Sequence, residues 1–227
     1  MSRRLAVVEA EWWNGYSHTV KPFFEGLFFN LMRQRDGFYY ERFVGPDSFA
    51  EVLQHLARKR DVRILYIASH GSSASLGCPN GDEISRRHLA KLLQMANSET
   101  RLDGLYFGSC LVGNQATAKA LLSSEQSAHQ RVKWVAGYEK SVDWLESTLL
   151  DVFFLKHVLG AEMEGLTPNK AVLRACNEIL YKAEGFAYEM GFHLYVRQKK
   201  TGSIVDLYDV KAEDREQYMA ELDSADG

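Results

Sequence analysis

The sequence predicts an α/β fold built on a mostly parallel sheet. Two observations carry this. Short runs rich in Val, Ile, Leu and aromatic residues, bounded by polar or glycine-containing segments, alternate along the chain with longer stretches whose apolar residues recur at helical spacing. One run, VRILYIAS, is apolar without alternation, as expected of a strand buried on both faces of a parallel sheet. In such sheets ligands collect outside the carboxyl ends of the strands, so what stands at each strand exit matters most.

The elements follow in order. LAVVEA (5–10) reads as the first strand, and Thr19 to Arg35 carries apolar residues at helical spacing, closed by Asp36–Gly37. FYYERFV, within 37–44, reads as the second strand; Asp47 then caps the helix SFAEVLQHLARKR, with Phe49, Val52, Leu53 and Leu56 on one face. The third strand, VRILYIAS, ends at His70. SLGCPNGDEI (75–84) holds proline and glycine turn signals and reads as a surface hairpin. Ser85 caps RRHLAKLLQMAN, the strand GLYFGS runs out at Cys110, and a helix is expected over 113–122. VKWVAGY (132–138) is the fifth long strand. Asp143 opens an amphipathic helix to Leu159, Pro168 occupies the first turn of a helix to about Gly185, and FHLYVRQ–KKTG–SIVDLYDV reads as a hairpin before an acidic tail.

The totals bound the function. The chain has 227 residues, 46% hydrophobic and 12% aromatic, enough for one substantial core and too apolar for a disordered chain. A formal net charge of −3 gives no general attraction to nucleic acid, and Arg58–Lys59–Arg60 and Lys199–Lys200 read as solvated ends. Cys78, Cys110 and Cys176 are too few and too scattered for a disulfide framework or a zinc knuckle, and no apolar window reaches membrane-spanning length. We therefore expect a cytoplasmic chain with free thiols. H-E-x-x-H, G-x-x-x-x-G-K and G-x-G-x-x-G are absent from the sequence, which argues against a metalloprotease, a P-loop NTPase or a dinucleotide-binding enzyme. No metal or cofactor is expected, and His88 and His157 read as helix residues.

ILYIASHGSS and LDGLYFGSC pose the same pattern twice, a hydrophobic run ending on a chemically capable side chain. If the two strands are neighbours, His70 and Cys110 rise from one sheet edge. An imidazole beside a thiol generates or holds the nucleophilic thiolate. Acyl transfer further needs donors aimed at the developing oxyanion, for which the backbone N–H groups of Gly71 and Cys110 are candidates. Each residue alone has an ordinary reading, a turn histidine or a small buried thiol; their joint position favours chemistry.

The ordered set ASHG, GDEI, LYFGSCLVGN and WVAGYEKSVDW resembles the caspase-like cysteine peptidases, and more narrowly the bacterial short caspase-like and CHAT-type proteins, over roughly residues 5–198. The resemblance implies a three-layer α/β sandwich in a single domain over 1–227, with a large-subunit-like part to about 122, a small-subunit-like part over about 131–210 and a tail at 211–227. It implies Cys110 as nucleophile and His70 as proton donor in a dyad that needs no third residue. The interval, 110 − 70 = 40 residues, suits a compact member. Phe107-Gly108-Ser109-Cys110-Leu111 lacks the caspase Gln-Ala before and Arg-Gly after the cysteine, so aspartate specificity is not carried over.

In that family the segment after the fifth strand walls the specificity pocket, here GYEKSVDW. Asp143 and Glu139 on it, with Glu9 past the first strand's exit, would favour a lysine or arginine side chain by charge-assisted hydrogen bonds, and Trp144 would floor the pocket. Asp143 also suits a helix cap, and the two roles are compatible. SSEQSAHQR (123–131) marks the place where true caspases are cut, with Arg131 as a self-cleavage point, though its shortness favours an intact chain. The resemblance further implies a protein substrate, a role in antiviral defence, and activation by a protein partner or upstream protease. The rival reading is an idle scaffold of the same fold that docks a protein partner.

Overall fold

A computed structural model describes residues 4–11, 18–33, 35–123, 132–198, 202–210 and 214–215. Nine strands and seven helices are present among them. The segment 124–131, with its Arg131 cleavage point, Lys199–Lys200 and nearly all of the acidic tail lie outside the described residues.

The central sheet has seven strands in the order β2 (Tyr39–Phe43), β1 (Leu5–Ala10), β3 (Ile64–Ala68), β6 (Gly104–Gly108), β7 (Trp134–Tyr138), β8 (Phe192–Arg197) and β9 (Ile204–Asp206). The first five run parallel and the last two add antiparallel at one edge. β4 (Ser75–Gly77) and β5 (Glu83–Ser85) form the expected separate hairpin. Strand β1 shows why the sheet is a middle layer: all six of its residues are buried, with Leu5 and Val7 in one core and Ala6 and Val8 in the other. The first core also takes Phe24 and Phe28 of α1 (Lys21–Met32), Phe154 and Val158 of α5 (Trp144–Met163) and Val172 of α6 (Pro168–Lys182). The second takes Phe49 and Leu53 of α2 (Pro46–Ala57), Leu89 of α3 (Arg86–Thr100) and Leu121 of α4 (Gln115–Leu122). The chain is thus an α/β sandwich of three layers. Among the described residues no helix is long and apolar enough to cross a membrane.

Most caps follow the sequence. Ser85 accepts the His88 N–H, Asn114 the Thr117 N–H, and Thr167 the Lys170 N–H ahead of Pro168. Three details differ. Helix α2 begins on Pro46, and Ser48 rather than Asp47 closes its start, its Oγ accepting from the Gly45 N–H at 3.0 Å. Helix α1 stops at Met32, where Arg33 turns left-handed with φ 57°, short of Gly37. The helix expected to run from Pro168 to Gly185 breaks at Ala183, and α7 (Glu184–Met190) follows it.

Candidate active site

The parallel ladder between β3 and β6 ends at the pair Ala68–Gly108. His70 and Cys110 each stand two residues beyond it, so the register that zips Ile64 to Gly104 also delivers both side chains to one edge. They line a common cleft of about 330 Å³ with His18, Ser69, Gly108, Val142, Asp143, Trp144, Leu145 and Ser147. His70 is exposed and Cys110 half-buried.

Local backbone sets the approach of the two exits. A Cβ on Gly71 would lie 2.3 Å from the Cys110 carbonyl oxygen and 2.5 Å from Val112 Cγ2, so the chain after His70 packs directly on the chain after Cys110 only because residue 71 has no side chain. Leu111, following the thiol, is left-handed with φ 63°, a strained value for a leucine, and its N–H donates to the Lys140 carbonyl at 3.1 Å. That bond ties the nucleophile turn to the segment 139–143. The same segment reaches the sulfur: the Val142 N–H donates to Cys110 Sγ at 3.4 Å, and the thiol points toward the Val142 carbonyl at 3.7 Å.

The acidic residues expected around the pocket separate into different places. Asp143 is in the cleft wall and caps α5, its Oδ1 accepting from the Leu145 and Glu146 N–H groups at 2.9 and 3.1 Å. Trp144 also lines the cleft, its ring tilted against His18 and edge-on to Phe23, both with centroids 5.7 Å away. Glu139 turns elsewhere, to His193 Nε2 at 3.1 Å on the antiparallel edge. There burial alone would lower the His193 pKa, but its bond to Asp206 and the charges of Asp206, Glu139 and Asp209 outweigh that and raise it. Glu9 corrects the sequence reading. It lies inside β1 rather than past its exit and is fully buried, its carboxylate accepting from the Val20 N–H at 2.9 Å, from Thr19 Oγ1 at 2.6 Å and from the Tyr40 hydroxyl. Its charge is held by the entry to α1 and by β2, with no open face for a substrate.

The structure adds an acid that the sequence reading passed over. Asp151, on α5, is fully buried and accepts from Tyr66 of β3 at 2.6 Å and from Tyr138 of β7; Tyr138 in turn meets Tyr106 of β6 at 3.2 Å. Burial raises its pKa from the ordinary 3.8 to about 6, against the three tyrosines, whose hydrogen bonds lower it. This cluster sits directly below the cleft. A Cβ on Gly108 would stand 2.1 Å from the Tyr66 hydroxyl and 3.0 Å from Asp151 Oδ2, and Gly108 is a cleft residue. One signal was legible: an aspartate on the buried face of an otherwise apolar helix, STLLDVFFLKHVL.

The other two thiols lie outside the cleft. Cys78, in the hairpin turn, is pushed up to about 11 by burial and by Asp82 and Glu83, and Cys176, packed in α6, is pushed up to about 12 by burial. Among the described residues one cluster, His193, Asp206 and Asp209, groups metal-capable atoms, and none of the three lines the cleft.

No protein-family model matches the chain, and no curated protein matches it in sequence. Solved structures do match in shape. An inactive zymogen of a C11 protease from Parabacteroides distasonis superposes with a TM-score of 0.52 at 10% identity, over 86% of this chain and 62% of that one. The complex of the pro- and mature domains of RgpB from Porphyromonas gingivalis gives 0.50 at 12% identity, over 83% and 45%. The chain thus spans about half to three fifths of the length of the structures it resembles. At such identities the likeness concerns the backbone, and the fold it supports is the caspase-like sandwich, a mostly parallel seven-stranded sheet between two helical layers.

Proposed function

We propose that this chain is a cysteine endopeptidase working through Cys110 and His70. The observation that carries the reading is that both residues leave neighbouring parallel strands at the same distance past the ladder and line one cleft. In this reading Cys110 Sγ attacks the scissile carbonyl carbon, and the oxygen that becomes negative is met by the Gly71 and Cys110 N–H groups. The C–N bond then breaks, with His70 giving its proton to the departing amine. Water, deprotonated by His70, hydrolyses the resulting thioester and returns the free thiol.

The proposed preference is for lysine or arginine before the cut. Asp143 supports it from the wall: both cap bonds fall on Oδ1, leaving Oδ2 as the oxygen for a substrate cation. Asp151 supports it from beneath Gly108, where its carboxylate adds negative potential in a medium that screens poorly. Trp144, Val142 and Leu145 offer apolar surface to the methylene stem of such a side chain. Glu139 and Glu9 have no part in it. The resemblance to short bacterial and CHAT-type proteins extends the proposal to a cytoplasmic defence effector acting on a protein substrate, switched on by a partner or an upstream protease.

The scaffold reading has one observation in its favour, the thiol's contacts with Val142, which hold the sulfur against the cleft wall. A panel of fluorogenic peptides varied at the residue before the bond tests the proposal. Turnover concentrated on Lys and Arg is expected; turnover only after Leu, Met or Asp would remove the acidic-pocket part, and no turnover with any peptide would favour the scaffold.

A further inference from the structure

Two buried hydroxyls remain without a role in this chemistry, and each immediately precedes a member of the pair. Ser69 is 1% exposed and Ser109 2%. They lie where the β3–β6 ladder has ended, so no sheet hydrogen bond holds the two exits together from there on. Side chains take over. The Ser69 N–H donates to Ser109 Oγ at 3.2 Å, the two hydroxyl oxygens are 3.2 Å apart, and Ser69 Oγ donates to the carbonyl of His70 itself at 2.9 Å. Ser69 gives its one proton to the His70 carbonyl, and the Ser109 hydroxyl, which accepts the Ser69 N–H, has Ser69 Oγ at 3.2 Å and the Ile67 carbonyl at 3.4 Å as acceptors for its own, both on the β3 exit.

A buried serine that only satisfies itself bonds its own turn or strand. These bonds cross between residues 40 apart in sequence and end on the backbone of the proposed proton donor. Gly71 lies on the Cys110 carbonyl just beyond, with Ser109 Cβ 3.3 Å from where its own Cβ would be. The hydroxyl pair is thus the last fixed point before both side chains enter the cleft, and a small change there is carried to the imidazole and the sulfur together.

Resting on the Cys110–His70 reading, we propose that Ser69 and Ser109 are positioning residues that set the separation and orientation of His70 relative to Cys110. Neither touches the reacting atoms. Removing the Ser109 hydroxyl leaves the Ser69 N–H buried without its acceptor, and the β3 exit shifts to satisfy it.

The test is a double-mutant cycle on the intact chain, read by iodoacetamide alkylation of Cys110 with Cys78 and Cys176 as references in the same digest. In wild type, His70→Ala is expected to change the Cys110 rate by roughly tenfold or more; in the Ser109→Ala background the same change is expected to have less than about a threefold effect, because the imidazole is already misplaced. In peptide hydrolysis, Ser109→Ala is expected to lower kcat on the order of 10- to 100-fold with KM within about twofold. Ser69→Ala, which removes the other hydroxyl, serves as a second variant should the first fail to fold, with the same expectation. An undiminished His70 effect in both backgrounds, or a loss confined to KM, overturns the proposal. If wild type cleaves no peptide but the His70 effect on alkylation collapses in Ser109→Ala, the positioning claim stands and the peptidase reading falls. If wild type cleaves peptides and Ser109→Ala keeps its kcat, the reverse holds.

Discussion

Gly71→Ala is expected to lower peptide turnover by about two orders of magnitude or more, a loss far beyond what one methyl group usually causes. The added Cβ would fall 2.3 Å from a backbone oxygen, that of Cys110, and 2.5 Å from Val112 Cγ2. A backbone atom cannot swing aside as a side-chain tip does, so one of the two strand exits must move. His70 and Cys110 sit on those exits, and a displacement of about 1 Å between reacting groups is enough for a hundredfold loss. The overpacking also costs stability, about 1–3 kcal/mol. Gly160→Ala is the matched control. No heavy atom lies within 4 Å of its added Cβ, it belongs to α5, and alanine there gains up to about 1 kcal/mol of helix propensity. Paired steady-state assays and thermal melts of the two variants check this; a Gly71→Ala protein with wild-type turnover would show that the packing of the two exits does not govern the chemistry.

Asp151→Ala carries the second large effect, on stability. It strips the buried Tyr66 hydroxyl of its acceptor, takes one acceptor from Tyr138, which keeps the Ser147 carbonyl at 3.0 Å, and leaves a cavity between α5 and the sheet. The stranded Tyr66 hydroxyl costs about 1–3 kcal/mol and the cavity adds to it, so a loss of about 2–3 kcal/mol, roughly 4–12 °C in Tm for a chain of this size, is expected. The pH dependence has a definite sign. Burial raises the Asp151 pKa to about 6 from 3.8, so folding favours the protonated acid. Its contribution is complete below about pH 4 and is lost as pH rises through 6. Asp151→Asn has no such titration. The stability of wild type relative to Asp151→Asn is therefore expected to fall between pH 4 and pH 7, by about 2 kcal/mol. Denaturant melts of both proteins at the two pH values measure it, and a difference that stays level or grows toward pH 7 would contradict the assignment.

The framework was legible because its signals are local. VRILYIAS is continuous enough to be read as a doubly covered strand, and the residues at its exit and at that of GLYFGS could be paired before any coordinates. Two helix starts were equally plain, at Ser85 and Asp143. What stayed hidden depends on partners distant in sequence. Glu9 reads as an open acid until Thr19, Val20 and Tyr40 close on it from a helix entry and a neighbouring strand. Asp151 gains its meaning from tyrosines on three different strands and from a glycine above it that has no side chain to intervene. Glu139 stands just before the residues that wall the cleft, yet turns to His193, a contact set by the antiparallel edge. Short-range chemistry also misled once at a helix start, where Ser48 reaches back to close α2 although Asp47 stands one residue earlier.

Covalent capture decides whether Cys110 reacts through His70: incubate wild type and His70→Ala with a lysyl peptidyl chloromethyl ketone and locate the adduct by mass spectrometry. A single adduct on Cys110 of wild type is expected, formed far faster than with His70→Ala, while Cys78 and Cys176 remain unmodified. An adduct spread over the three thiols, or one on Cys110 that forms equally fast without His70, would contradict it.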